Sequence, residues 1–123
     1  MLKDQKLKAF IPTTNPKKAK AFYKDVLGLK FLSGDNYALE FDVNGTLLRI
    51  AIVPELKPHP FTSLGWDVDD IKKEIKRLNK KGVFFERYNF MEQDELGIWN
   101  SPSGAKVAWF KDPDGNLLSL TEY

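Results

Sequence analysis

The sequence predicts an α+β fold in which one unit, a strand, a helix and then three strands, is spelled twice. Three observations carry this expectation. A helix-period apolar stripe closed by glycine occurs at Ala19 to Gly28 and again at Ile71 to Gly82; a strand-like run precedes each stripe; short strands joined by tight turns follow it. The first unit runs from about Leu7 to Pro54 and the second from about Phe61 to Tyr123, with the proline-bearing stretch Glu55 to Pro60 as linker. Gly28 and Gly82 lie 54 residues apart while Ala19 and Ile71 lie 52 apart, an offset that divergent duplication leaves behind. Two such units side by side enclose a cleft, and a ligand is expected there.

Taken in order, Leu7 to Thr13 reads as a strand. Asn15 then caps a helix and Pro16 supplies the preset φ of a first helical residue. Ala19, Phe22, Tyr23, Val26 and Leu27 recur at helical spacing, and Gly28 is the left-handed stop. Strands follow at Lys30 to Leu32, Tyr37 to Val43 and Leu47 to Val53, the last two joined by Asn44-Gly45, a strong hairpin signal. In the second unit Phe61 to Val68 is a strand, Asp69 caps a helix with the stripe Ile71, Ile75 and Leu78, and Gly82 ends it. Val83 to Tyr88, Lys106 to Phe110 and Asn116 to Thr121 are the remaining strands, with Asp112-Pro113-Asp114-Gly115 as a tight turn between the last two. Asn89 to Gly104 is a longer polar loop, a candidate lid, with Gly97-Ile98-Trp99 as a short extra strand.

Strand alternation sorts the faces. Leu7, Ala9 and Ile11, Leu48, Ile50 and Ile52, Leu64, Trp66 and Val68, and Leu118 and Leu120 form one apolar face that packs on the helices. The opposite face is mixed and carries Lys8, Phe10, Arg49, Ser63 and Ser119.

Composition excludes several classes. At 123 residues, with 42% apolar residues, the chain is a single domain able to bury a core. A formal charge of +2 is too balanced for a dedicated nucleic-acid binder, and the basic run from Lys72 to Lys81 reads as a solvated helix face. With no cysteine there is no disulfide, thiolate metal site or thiol nucleophile. The amino terminus lacks the apolar core of a secretory signal and no run reaches the ~20 apolar residues of a membrane span, so no membrane partner and a cytoplasmic location are expected.

Three segments together resemble the vicinal oxygen chelate superfamily, which includes glyoxalase I, extradiol dioxygenases and the bleomycin and fosfomycin resistance proteins. They are Ala21-Phe22-Tyr23-Lys24-Asp25-Val26-Leu27-Gly28-Leu29, Gly65-Trp66-Asp67-Val68-Asp69-Asp70 and Trp109-Phe110-Lys111-Asp112-Pro113-Asp114-Gly115-Asn116. The resemblance implies two βαβββ modules forming a U-shaped, incompletely closed eight-stranded barrel, and a homodimer. Metal enzymes of the superfamily place His, Glu or Gln ligands on the first and last strand of each module. Carried over, those positions fall on Lys8, Arg49, Ser63 and Ser119, none of them a good ligand. The expectation is therefore no metal and no cofactor. Lys8 and Arg49 would instead anchor an anionic group of an unknown small molecule, with Ser63 and Ser119 adding hydroxyls and Phe10 and Trp99 touching its apolar part. The protein is read as a metal-independent binding protein of the bleomycin-resistance kind, its ligand anionic or polar-aromatic, with no catalytic residue assigned. The alternative is a metal-dependent glyoxalase-like lyase, isomerase or dioxygenase with unusual ligands such as Glu40, Glu86 or His59.

Overall fold

Strand pairing turns the two sequence repeats into two open four-stranded sheets of the same topology. The computed structural model describes residues 1–123, which form two compact units, residues 1–57 and 58–123. The first contains β1 (Lys8–Thr13), α1 (Pro16–Ala21), β2 (Lys30–Gly34), β3 (Ala38–Val43) and β4 (Thr46–Ile52). The second contains β5 (Thr62–Asp67), α2 (Ile71–Lys80), β6 (Trp99–Asn100), β7 (Lys106–Lys111) and β8 (Leu117–Glu122). Sheet A has the order β1-β4-β3-β2 and sheet B the order β5-β8-β7-β6. In each, the first and last strands pair in parallel and the others antiparallel. The strand after the helix starts at the far edge, so the meander closes back onto the strand before it.

The first unit follows its local signals. Asn15 Oδ1 accepts from the Lys18 amide at 3.1 Å, satisfying one free donor of α1. The helix then widens into a π-turn at Phe22–Val26, where the Leu27 amide reaches the Phe22 carbonyl. Gly28 follows at φ 75, a conformation that a side chain would strain. Tyr23 is fully buried by this turn and packs on Phe41, ring centroids 6.2 Å apart, above a floor of Ile11, Leu39, Leu48 and Ile50. A ring as completely buried as Phe41 contributes roughly 2–3 kcal/mol. Asn44 and Gly45 both take positive φ, and the Asp42 carboxylate accepts from the Gly45 amide at 2.9 Å, so the hairpin twist is fixed by turn chemistry. Leu7 departs from the expected alternation: it precedes β1 and is 77% exposed.

The second unit corrects three expectations. The α2 cap is Asp70, not Asp69: its carboxylate accepts from the Lys73 amide at 3.1 Å, and Glu122 of β8 takes the Ile71 amide at 3.0 Å. Val83 to Tyr88 is not a strand, for only Phe85 bridges to Phe110. The reason is a competing acceptor and donor set: the Gln93 side chain donates to the Glu86 and Gly97 carbonyls and accepts from the Tyr88 amide, taking groups that a neighbouring strand would need. The fourth strand of sheet B is the two-residue β6. The loop expected as a lid is pinned, because Arg87 also donates to the carbonyls of Asp94 and Glu95, and Asp94 Oδ1 accepts from the Leu96 and Ile98 amides. The core beneath comprises Ile71, Ile75, Leu78, Val83, Ala108, Phe110, Leu118 and Leu120. No helix is long and apolar enough to cross a membrane.

Candidate functional site

The expected site residues divide between the two sheets. On sheet A, Phe10 of β1, Arg49 of β4 and Glu40 of β3 are register partners on adjacent strands, so their side chains share one face. Arg49 Nη1 donates to Glu40 Oε2 at 2.7 Å, with both side chains about a quarter to a third exposed. The guanidinium is thus turned onto β3. Lys8 lies on β1, the other flank of β4, beside Leu47, and is exposed. Arg49 therefore offers a ligand a paired, locally neutral group rather than a free cation. Phe10, 59% exposed, stands next to that pair. At the end of the same sheet Lys6, Leu7, Lys8, Leu32 and Leu47 help to line a cavity of about 400 Å³.

On sheet B, Ser119 of β8 is buried and faces Gly65 of β5, its register partner. Gly65 is required here by close approach: a Cβ on it would fall 2.7 Å from Ser119 Oγ. Ser63 is exposed at the register shift between Thr62 and Leu64, where it has no partner on β8. Trp99 of β6 pairs with Val107, which places it on the face of β7 that carries Trp109, away from the buried Ala108 and Phe110. The two indoles lie 6.1 Å apart. Tyr88 meets Trp109 edge-on at 5.8 Å and Phe90 at 5.4 Å, so four rings form one continuous aromatic surface. Trp109 and Tyr88 were not singled out by sequence reasoning. The alternation of β7 could have found Trp109, but Tyr88 reaches the cluster only through the Gln93-held loop.

Two cavities border this surface. Phe90, Met91, Glu92, Trp99 and Asn100 line one of about 520 Å³. Pro58, His59, Glu86, Tyr88, Lys111 and Leu117 are among the walls of another of about 230 Å³, in which Lys111 Nζ bonds Glu86 Oε1 at 3.3 Å. Burial pushes the Tyr88 phenol above its usual range, the Glu86 carboxylate adds to the rise and Lys111 opposes it, so the hydroxyl is a neutral donor across physiological pH.

A divalent ion does not fit these donors. Glu40 is held by Arg49 and Glu86 by Lys111, while His59 stacks on Phe61, ring centroids 5.0 Å apart. No three His, Asp or Glu side chains are grouped to hold a metal ion.

The model of the Glyoxalase/Bleomycin resistance protein/Dioxygenase superfamily matches residues 7–120. The chain belongs to this superfamily. Solved structures of the superfamily's fold agree. TnmS3, an antibiotic binding protein from Streptomyces sp. CB03234, is 25% identical with a TM-score of 0.73, covering 97% of this chain and 95% of its own. Lactoylglutathione lyase from Agrobacterium tumefaciens is 17% identical at TM-score 0.74, covering 97% and 93%. The fosfomycin resistance protein FosX from Listeria monocytogenes is 13% identical at TM-score 0.77, covering 98% and 93%. The last two likenesses show the fold alone, and they join an enzyme and a resistance protein on one superfamily scaffold. No curated protein matches the chain.

Proposed function

We propose that this protein binds a small polar-aromatic molecule without the help of a metal ion, against the surface formed by Tyr88, Phe90, Trp99 and Trp109. The observation that carries the proposal is that four-ring surface on sheet B, bordered by the Tyr88 hydroxyl and the Lys111–Glu86 pair. Tilted and edge-on rings held in place give a planar ligand contact area at little entropic cost, and a few fixed polar groups orient it. Ser63, exposed on β5, supplies a hydroxyl from the same unit, whereas Ser119 is buried against Gly65. The Arg49–Glu40 pair favours a polar-aromatic ligand over a purely anionic one, since a carboxylate already neutralises the cation that an anion would need. Metal independence is supported by the partners of Glu40, Glu86 and His59. TnmS3, as an antibiotic binding protein, supports sequestration over turnover. A homodimer is part of the same proposal, and light scattering reads it.

The test is a tryptophan-fluorescence titration in EDTA with bleomycin and a panel of planar aromatic antibiotics. A saturable change is expected with at least one compound, together with a raised melting temperature. Trp99→Leu should weaken it. Binding that disappears in EDTA would overturn metal independence, and no saturable response from any compound would overturn the binding function.

A further inference from the structure

The cavity lined by Phe90, Met91, Glu92, Trp99 and Asn100 has a one-sided chemistry. Its walls supply two aromatic rings and a thioether, and its one charged side chain is the Glu92 carboxylate. The bias extends along the chain: Tyr88 to Ala105 contains Glu92, Asp94 and Glu95 and no Lys, Arg or His, in a protein whose formal charge is +2. The neighbouring cations have partners of their own. Lys106, beside Asn100 in the β6–β7 register, meets Glu122 at 3.5 Å, and Arg87 donates to the carbonyls of Asp94 and Glu95.

These walls are also held in advance. Gln93 and Asp94 tie the loop backbone at both ends of its turn, Phe90 leans on Tyr88, and Trp99 on Trp109. A preorganised cage loses little entropy when it fills. Phe90 is nonetheless 76% exposed, an apolar ring fixed in water with the cavity beside it.

Aromatic faces attract a weakly hydrated cation through their quadrupole, and a carboxylate alongside adds to that attraction. A small hard ion needs about six oxygen ligands, and the side chains of this cavity offer only those of Glu92 and Asn100. An anion would meet Glu92 and the negative ring faces. We propose that this cavity binds an organic cation, a tertiary or quaternary ammonium group carried by a small molecule. The inference rests on the proposed binding function and names the charge of one end of its ligand.

Choline and 3,3-dimethylbutan-1-ol have the same shape and differ in charge, so their affinities, read by titration calorimetry and by the indole signals in NMR, isolate the effect. Choline should bind about tenfold more tightly than the alcohol. Glu92→Gln, on the exposed loop, should weaken choline several-fold and leave the alcohol unchanged. Trp99→Leu should abolish choline binding, with Trp99→Phe restoring part of it. Equal affinities for the two probes, or an unchanged choline affinity in Glu92→Gln, would overturn the proposal. If choline fails while a neutral planar aromatic still binds, only the cation site falls; if both fail, the binding function falls with it.

Discussion

Replacing Gly65 by alanine tests the packing behind Ser119 directly. The new Cβ would sit 2.7 Å from Ser119 Oγ and 3.7 Å from the Ser119 carbonyl oxygen, where ordinary contact begins near 3.4 Å, an overlap of about 0.7 Å. Ser119 is buried on the central strand β8, so its hydroxyl cannot swing away without displacing neighbours. Overpacking of this kind costs about 1–3 kcal/mol. Gly65 is not among the positive-φ glycines, so alanine also restricts the unfolded chain and returns about 0.4–1 kcal/mol. The net loss should centre on ~1.3 kcal/mol. Ser119→Ala removes the offending oxygen. In that background Gly65→Ala should become neutral or stabilising. Urea denaturation of the four proteins, with m held equal, measures the coupling. The same cost of Gly65→Ala in both backgrounds would show that the glycine and serine do not meet.

Two further outcomes follow from the loop and the aromatic surface. Gln93→Ala leaves the Glu86 and Gly97 carbonyls and the Tyr88 amide without their side-chain partner, so stability should drop by about 1–3 kcal/mol and the Tyr88 amide should exchange faster with solvent; unchanged exchange at Tyr88 would remove Gln93 as the clamp. The Tyr88 phenol is held above its ordinary value by burial and by Glu86, so its stabilising contribution is complete below the unfolded value near ~10 and is lost as pH rises through the higher folded value; Tyr88→Phe should flatten this alkaline limb of the stability curve, and an identical limb in both proteins would contradict the assignment.

Local signals made most of the fold legible. Asn15-Pro16, Asn44-Gly45, Gly28 and Gly82 each act within a few residues, and each does what its chemistry dictates. Alternation correctly placed Ile11, Leu48, Ile50, Leu118 and Leu120 in the core. Val83 to Tyr88 has strand composition, yet after one bond from the Glu86 amide to the Trp109 carbonyl of β7 its next groups, the Glu86 carbonyl and the Tyr88 amide, go to Gln93, a residue in a loop whose path no periodicity reveals. Asp69 and Asp70 are both good caps, and only the helix phase, with Ile71 buried, selects the second. The site was less legible for the same reason. Sharing a face could be read for Phe10 and Arg49, but Glu40 claims the guanidinium through a pairing register that neighbouring strands set jointly. Tyr88 joins Trp109 through tertiary folding of the loop alone.

Side-chain bonds that stand in for a ladder make the two sheets close the same edge by different means. Sheet A closes its edge with five residues of backbone, so length changes there disturb a ladder. The corresponding edge of sheet B is closed by the two-residue β6 together with the side-chain bonds of Gln93, Arg87 and Asp94. Clamps of this kind let the rim of sheet B present four rings without a full-length edge strand.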